Sequence, residues 1–179
     1  MNVDEPISIC EYQASWPACF SEEAAAIRGI PGIVNVEHFG STAVSGLPSK
    51  PIIDILVGVD VWPIDEMLIG EFEKKLQYQF CGEAGIAGRF YFRKRGERNF
   101  NLAVVKWNGP LWNENLLVRD YLRVHPTEAA DYAAHKLRAI DQGNRTLLAY
   151  SQYKNEFMAN LLARARVWAT PQQSAGGEG

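Results

Sequence analysis

The chain reads as an α+β protein: a mixed β-sheet with flanking helices and further helices gathered at the C-terminal end. Two observations predict this class. Residues 51–59, PIIDILVGV, are apolar and β-branched almost throughout, the pattern of a strand buried on both faces. From Leu111 onward every periodic segment has helical spacing, so strands and helices are segregated along the chain. With 179 residues, the chain suits one domain over 1–169 and a flexible tail over 170–179, which is small, polar and Gly-rich.

The elements follow in order. Phe20, Ala24 and Ile27 recur at helical spacing over 15–29, with Ser15 and Pro17 as start signals and Gly29-Ile30-Pro31-Gly32 as the stop. Residues 34–39 alternate as a strand. Residues 40–50 carry Gly, Ser, Thr and Pro and read as irregular, with room for one helical turn. The buried strand 51–59 is interrupted by a single charge, Asp54. A helix is predicted over 65–80, with Ile69, Phe72 and Leu76 on one face. A loop over 82–88 precedes two strands, 90–93 and 100–106, joined through Gly96. A helix over 111–124 ends before Pro126. Thr127 caps the next helix, which runs to Asp141 and stops at Gly143-Asn144. The last helix, 150–168, aligns Phe157, Leu161, Ala165 and Trp168.

Composition excludes several classes. Apolar residues make up 47% and charged residues 22%, ordinary values for a globular protein. A net charge of -3 argues against nucleic acid as partner. Cys10, Cys19 and Cys81 are too scattered for a disulfide framework or a zinc site and read as free thiols of a cytoplasmic protein. The start MNVDEP has no leader pattern, and no run approaches 18 apolar residues, so no membrane association is expected. His38, His125 and His135 are never four apart, so no histidine metal site is implied. Walker A, GxGxxG and GxSxG motifs are absent.

The informative segment is His38-Phe39-Gly40-Ser41-Thr42 followed by Lys50-Pro51-Ile52-Ile53-Asp54. Gly40 after a strand permits a tight turn and close backbone approach to a ligand. Ser41 and Thr42 offer hydroxyls and amides to a phosphate. Asp54 inside a buried strand is costly unless it is paired or holds a metal such as Mg²⁺. A structural arginine partner is the competing account.

Residues 40–59, GSTAVSGLPSKPIIDILVGV, resemble the signature of the GrpB family. Further likenesses are GEAGIAGRFYFRK at 82–94, Arg98 with NFNLAVV, LLVRDYLRVHP at 116–126, Tyr132 with Lys136, and Tyr150 with Lys154. Together they span about residues 8–168. The resemblance implies the fold of DNA polymerase β-like nucleotidyltransferases, in which strand carboxylates hold two Mg²⁺ ions about 3.5–4 Å apart for attack at an α-phosphate. This chain departs from that pattern. Ile52 and Leu56 share the face of Asp54, so the second acid is missing. On the later strand Asn101, a neutral ligand, and Ala103 share a face, while Phe100, Leu102 and Val104 fill the core.

The expected site is therefore one Mg²⁺ on Asp54, helped by Glu83, with Gly40, Ser41 and Thr42 cradling the phosphates of a nucleoside triphosphate such as ATP. Lys50, at the mouth of the Asp54 strand, faces phosphate. Arg89 and Arg98, which match family blocks, are preferred as phosphate contacts over Arg93, Lys94 and Arg95. Arg119 and Arg123, four apart on one helix face, either grip phosphates or pair with carboxylates such as Glu37 or Asp54. Lys136 and Lys154 either contact phosphate or lie along Tyr132 and Tyr150. Trp107 and Trp112 read as exposed, forming a substrate lid or a homodimer contact. Two functions follow. One is a Mg²⁺- and nucleotide-dependent transferase or ligase acting on a small-molecule acceptor, by nucleotidyl transfer or carboxylate adenylation. The other is a non-catalytic nucleotide- or ligand-binding module, since family members occur fused to dephospho-CoA kinases.

Overall fold

A computed structural model describes residues 4–170. The elements are α1 (Trp16–Arg28), β1 (Ile33–Phe39), a 3₁₀ turn (Ser41–Ala43), β2 (Ile53–Val59), α2 (Glu66–Lys74), β3 (Gln79–Phe80), β4 (Arg89–Lys94), β5 (Phe100–Lys106), α3 (Pro110–Val124), α4 (Pro126–Asp141) and α5 (Leu147–Ala169). The strands form one mixed sheet in the order β1-β2-β5-β4-β3. Only β2 and β5 are parallel, and they place Asp54 directly beside Asn101.

Period-two alternation splits the sheet into two unlike faces. On one face Ile53, Ile55, Val57 and Val59 of β2, with Phe100, Leu102 and Val104 of β5, meet Ala24, Ile27 and Phe72 from α1 and α2 in the main core. On the other face Leu56, Ala103 and Val105 pack under Trp112 of α3. Asp54 and Asn101 lie on this second face, beyond the reach of that apolar patch. A third cluster, with Val44, Leu47, Tyr121, Leu122, Tyr132, Leu161 and Ala165, joins the segment after the 3₁₀ turn to α3, α4 and α5. Among the described residues no helix is long and apolar enough to cross a membrane.

Several expectations are revised. The second helix stops at Lys74, because Gln77 takes a positive φ of 60° and Phe80 then pairs with Phe92 as an edge strand. Pro126 occupies the first position of α4, so Thr127 is inside the helix and not its cap. The last helix begins at Leu147, with the Thr146 side chain accepting from the Ala149 amide. Trp112 is buried, 3% exposed, so neither a lid nor a dimer contact uses it. A Cβ on Gly58 would stand 2.9 Å from both Trp112 and Trp107, so this glycine lets α3 and its entry turn close on β2. Of the expected tail, residues 171–179 lie outside the described residues.

Candidate functional site

Where the apolar patch under α3 ends, the sheet face opens into a cavity of about 570 Å³. Its floor is Asp54 of β2 with Asn101 and Ala103 of β5, and its rim carries Gly40, Ser41, Lys50, Arg89 and Lys154. Tyr91, Arg119, Tyr132 and Tyr150 complete the walls with the 84–86 loop.

The acid is held by a polar relay. Asn101 Nδ2 donates to Asp54 Oδ1 at 2.8 Å. The Asn101 Oδ1 accepts from the Tyr91 hydroxyl at 2.6 Å and from Arg95 Nη2 at 2.9 Å. Arg95 is in turn clamped by Glu5, at 2.6 Å from Nη2. This relay orients the Asn101 amide so that its donor end must face Asp54. Burial pushes the Tyr91 hydroxyl up to about 12, so it remains a donor. Neither Tyr91 nor Glu5 was singled out from the sequence. Tyr91 had a legible signal, since it lies two residues from Arg89 on the same strand face; Glu5 had none.

The turn is built for closeness. Gly40 has φ 68°, and a Cβ there would lie 2.6 Å from Asp54 Oδ2. The following Thr42 is fully buried, with its Oγ1 2.9 Å from His38 Nε2. His38 stacks on Phe20 at 4.7 Å, and burial pushes its imidazole down to about 4, so the ring is neutral. Thr42 thus supports the turn from behind, while Gly40 and Ser41 line the cavity.

The basic residues divide. Lys50, Arg89, Arg119 and Lys154 line the cavity. Arg119 is largely consumed by structure: it binds Glu37 at 2.7 Å, the His38 carbonyl at 3.0 Å and Asp120 at 2.8 Å. Arg89 donates through Nη2 to the carbonyls of Glu83 and Ala84, and its buried Nε has no hydrogen-bond partner. Lys136 is 1% exposed and donates to the Pro48 carbonyl, below the cavity wall. Arg98 is placed elsewhere, on the surface beside Glu22. Arg123 also faces away: its Nε donates to the Ala43 carbonyl at 3.0 Å and it lines a separate groove of about 590 Å³. The expected roles of Arg98 and Arg123 at phosphate therefore do not hold in this geometry.

The donor set also tests the expected metal. Glu83 turns its Oε1 to the Gly88 amide at 3.0 Å and does not line the cavity, so it is no helper to Asp54. Among the described residues no group of three or more His, Cys, Asp or Glu could hold an ion. Asp54 is the one carboxylate among the described residues that line the cavity. What remains is the Asp54 carboxylate, one ligand of the kind that holds Mg²⁺ carried in on substrate phosphates.

Comparison with protein families matches residues 6–164 to the family described as GrpB protein. The UPF0157 protein YqkA of Bacillus subtilis is 33% identical over 177 residues, covering 96% of this chain and 50% of that protein. The glutamate-rich protein GrpB of Alkalihalophilus pseudofirmus is 29% identical over 163 residues, covering 87% of this chain and 94% of its own length. This chain thus spans half the length of the first relative and nearly all of the second. A crystal structure of the conserved protein GrpB from Enterococcus faecalis superposes with a TM-score of 0.78 at 31% identity, covering 90% of this chain and 99% of that one. The match over nearly the whole chain and the shared fold make one conclusion plain: the chain belongs to the GrpB family.

Proposed function

We propose that the cavity binds a nucleoside triphosphate, ATP above all, and that the protein is a nucleotidyltransferase-like enzyme acting on a small acceptor, by nucleotidyl transfer or by adenylation of a carboxylate. The observation that carries this reading is the meeting, on one cavity, of the Asp54 carboxylate with the Gly40-Ser41 turn and the cations Lys50, Arg89 and Lys154. An anion fits that rim: the Arg89 Nε is a buried donor without a partner, and an unmade bond of this kind is costly. A cavity of about 570 Å³ suits a small-molecule ligand.

In this reading Gly40 and Ser41 bring the backbone close to phosphate. Lys50, Arg89 and Lys154 neutralise charge as pyrophosphate leaves. Asp54 is the residue that would hold Mg²⁺, which would supply charge neutralisation when bound. Asn101 and Tyr91 fix the direction of the Asp54 carboxylate. A cytoplasmic setting supplies ATP and keeps the thiols of Cys10, Cys19 and Cys81 free.

One observation favours the second reading, a non-catalytic ligand-binding module. The position two residues beyond Asp54 is Leu56, fully buried under Trp112, and the facing strand offers only Asn101 and Ala103. Among the described residues lining the cavity, no second carboxylate joins Asp54.

Thermal unfolding with ATP, with and without Mg²⁺, tests the reading on wild type and Asp54→Asn. Stabilisation of about 2–3 kcal/mol at an ATP concentration 100-fold over the dissociation constant is expected for wild type with Mg²⁺, and its metal-dependent part is lost in the variant. Absence of any stabilisation by ATP would sink the nucleotide reading. ATP binding indifferent to Mg²⁺ and to Asp54, without pyrophosphate release, would favour the module.

A further inference from the structure

Three lysines converge where the strand β2 entrance meets α4 and α5. Lys50 and Lys154 line the cavity, and Lys136 lies just behind them. Lys136 stands 4.6 Å over the Tyr132 ring, and Lys154 stands 4.6 Å over the Tyr150 ring. Both tyrosines are nearly sealed from solvent, so the ammonium groups rest on an apolar floor. Lys136 has the Pro48 carbonyl as its acceptor. Lys50 accepts from the Ile52 amide through its backbone carbonyl, and among the described residues its ammonium has no hydrogen-bond or ion-pair partner.

The charges facing this cluster come from every packed element. Asp54 of β2 attracts Lys50 and Lys136, but one carboxylate oxygen is already engaged by Asn101. Glu5 from the N-terminal segment also attracts Lys50, but Arg95 binds both its oxygens. Arg95 and Lys154 repel Lys50, while Lys154 and Lys50 repel Lys136. Burial, reinforced by that repulsion, pushes Lys50 down to about 8 and Lys136 down to about 7. The cluster therefore holds fewer protons than three ordinary lysines.

We propose that Lys50 and Lys154, which line the cavity, form a subsite for a polyphosphate chain, with the buried Lys136 as a third positive group behind them. This deepens the nucleotide reading by locating the phosphate tail, and rests on that reading only for what the tail is attached to. A polyanion against Lys50 and Lys154 favours the charged form of every amine nearby. The sign follows from linkage. Below about pH 7 the amines are charged with or without ligand, so binding takes up few protons and affinity is highest. Above about pH 8 the free protein has shed protons that the complex must regain, so uptake grows and affinity falls.

Inorganic tripolyphosphate without added metal is the probe, titrated calorimetrically at about pH 6.5 and about pH 8 in pairs of buffers that differ in ionisation heat. The probe's own last proton is released on binding to cations, so a net uptake reports the protein. We expect uptake near pH 8 that shrinks near pH 6.5. Lys50→Gln should weaken binding at least about tenfold and remove most of the uptake, and Lys154→Gln should weaken binding with Lys50 still titrating. Lys75→Gln, whose partner is Glu71 on α2, should change neither. Near-ultraviolet circular dichroism checks that each variant is folded, and Lys154→Gln keeps the test alive if Lys50→Gln is not. No binding, binding without buffer-dependent heat, or folded Lys50 and Lys154 variants that bind like wild type would overturn the proposal. Tripolyphosphate bound with uptake while ATP is ignored would uphold the subsite and remove the nucleotide. ATP bound without uptake and indifferent to Lys50 would do the reverse.

Discussion

Gly40 turns the chain out of β1 with φ 68°, and its missing side chain leaves the space that Asp54 Oδ2 fills. Alanine there meets a left-handed backbone and a carboxylate oxygen at 2.6 Å at once. Gly40→Ala should cost about 2 kcal/mol or more in chemical denaturation, and it should push Asp54 off the Asn101 amide. A variant as stable as wild type would show that the turn relaxes freely. The same residue scale explains His38. Its imidazole ordinarily titrates near 6.5 and is pushed down to about 4 by burial. The unfolded chain thus takes up a proton between those values that the folded chain does not, so stability falls as pH drops from 6.5 to 4. His38→Gln should flatten that limb in urea midpoints measured across the window.

At the scale of elements, Arg119 is the rivet between α3 and β1. Its guanidinium is 10% exposed and reaches Glu37, the His38 carbonyl and Asp120 in three directions. The planar fork suits that geometry, and a lysine ammonium cannot match it. Arg119→Ala leaves Glu37 and a carbonyl without their donor, and about 2–4 kcal/mol of unfolding free energy should be lost. Arg119→Lys should recover only part of it. If both variants unfold like wild type, α3 is held by its apolar contacts alone. The helix spacing of Arg119 and Arg123 was readable from the chain, and pairing of Arg119 with Glu37 was one of two readings. What the spacing did not contain was the rotation of α3, which sends Arg123 to the Ala43 carbonyl and out of the cavity.

For the whole molecule, the buried lysines set a second pH limb. Lys136 and Lys50 ordinarily titrate near 10.5 but are pushed down to about 7 and about 8 by burial. Between those values and 10.5 the unfolded chain binds more protons than the folded one, so stability should rise with pH across that window. Lys136→Met keeps a long apolar stem over Tyr132 and removes the ammonium. It should flatten the rise above pH 7, checked by urea denaturation at intervals of pH. A slope unchanged by the substitution would mean that Lys136 keeps its proton in the folded state.

The sequence by itself determined the α+β class, the buried strand around Asp54, the glycine turn before it and the family. Those features are local, because hydrophobic period and turn chemistry are written in consecutive residues. Tertiary structure alone decided which charges meet. Glu5 reaches Arg95, Arg98 leaves for Glu22, and Asn101 is aimed at Asp54 by Tyr91, each across a sequence separation that no spacing rule encodes. A side chain's partner depends on strand order and helix rotation, and those are fixed only when the whole apolar core packs at once.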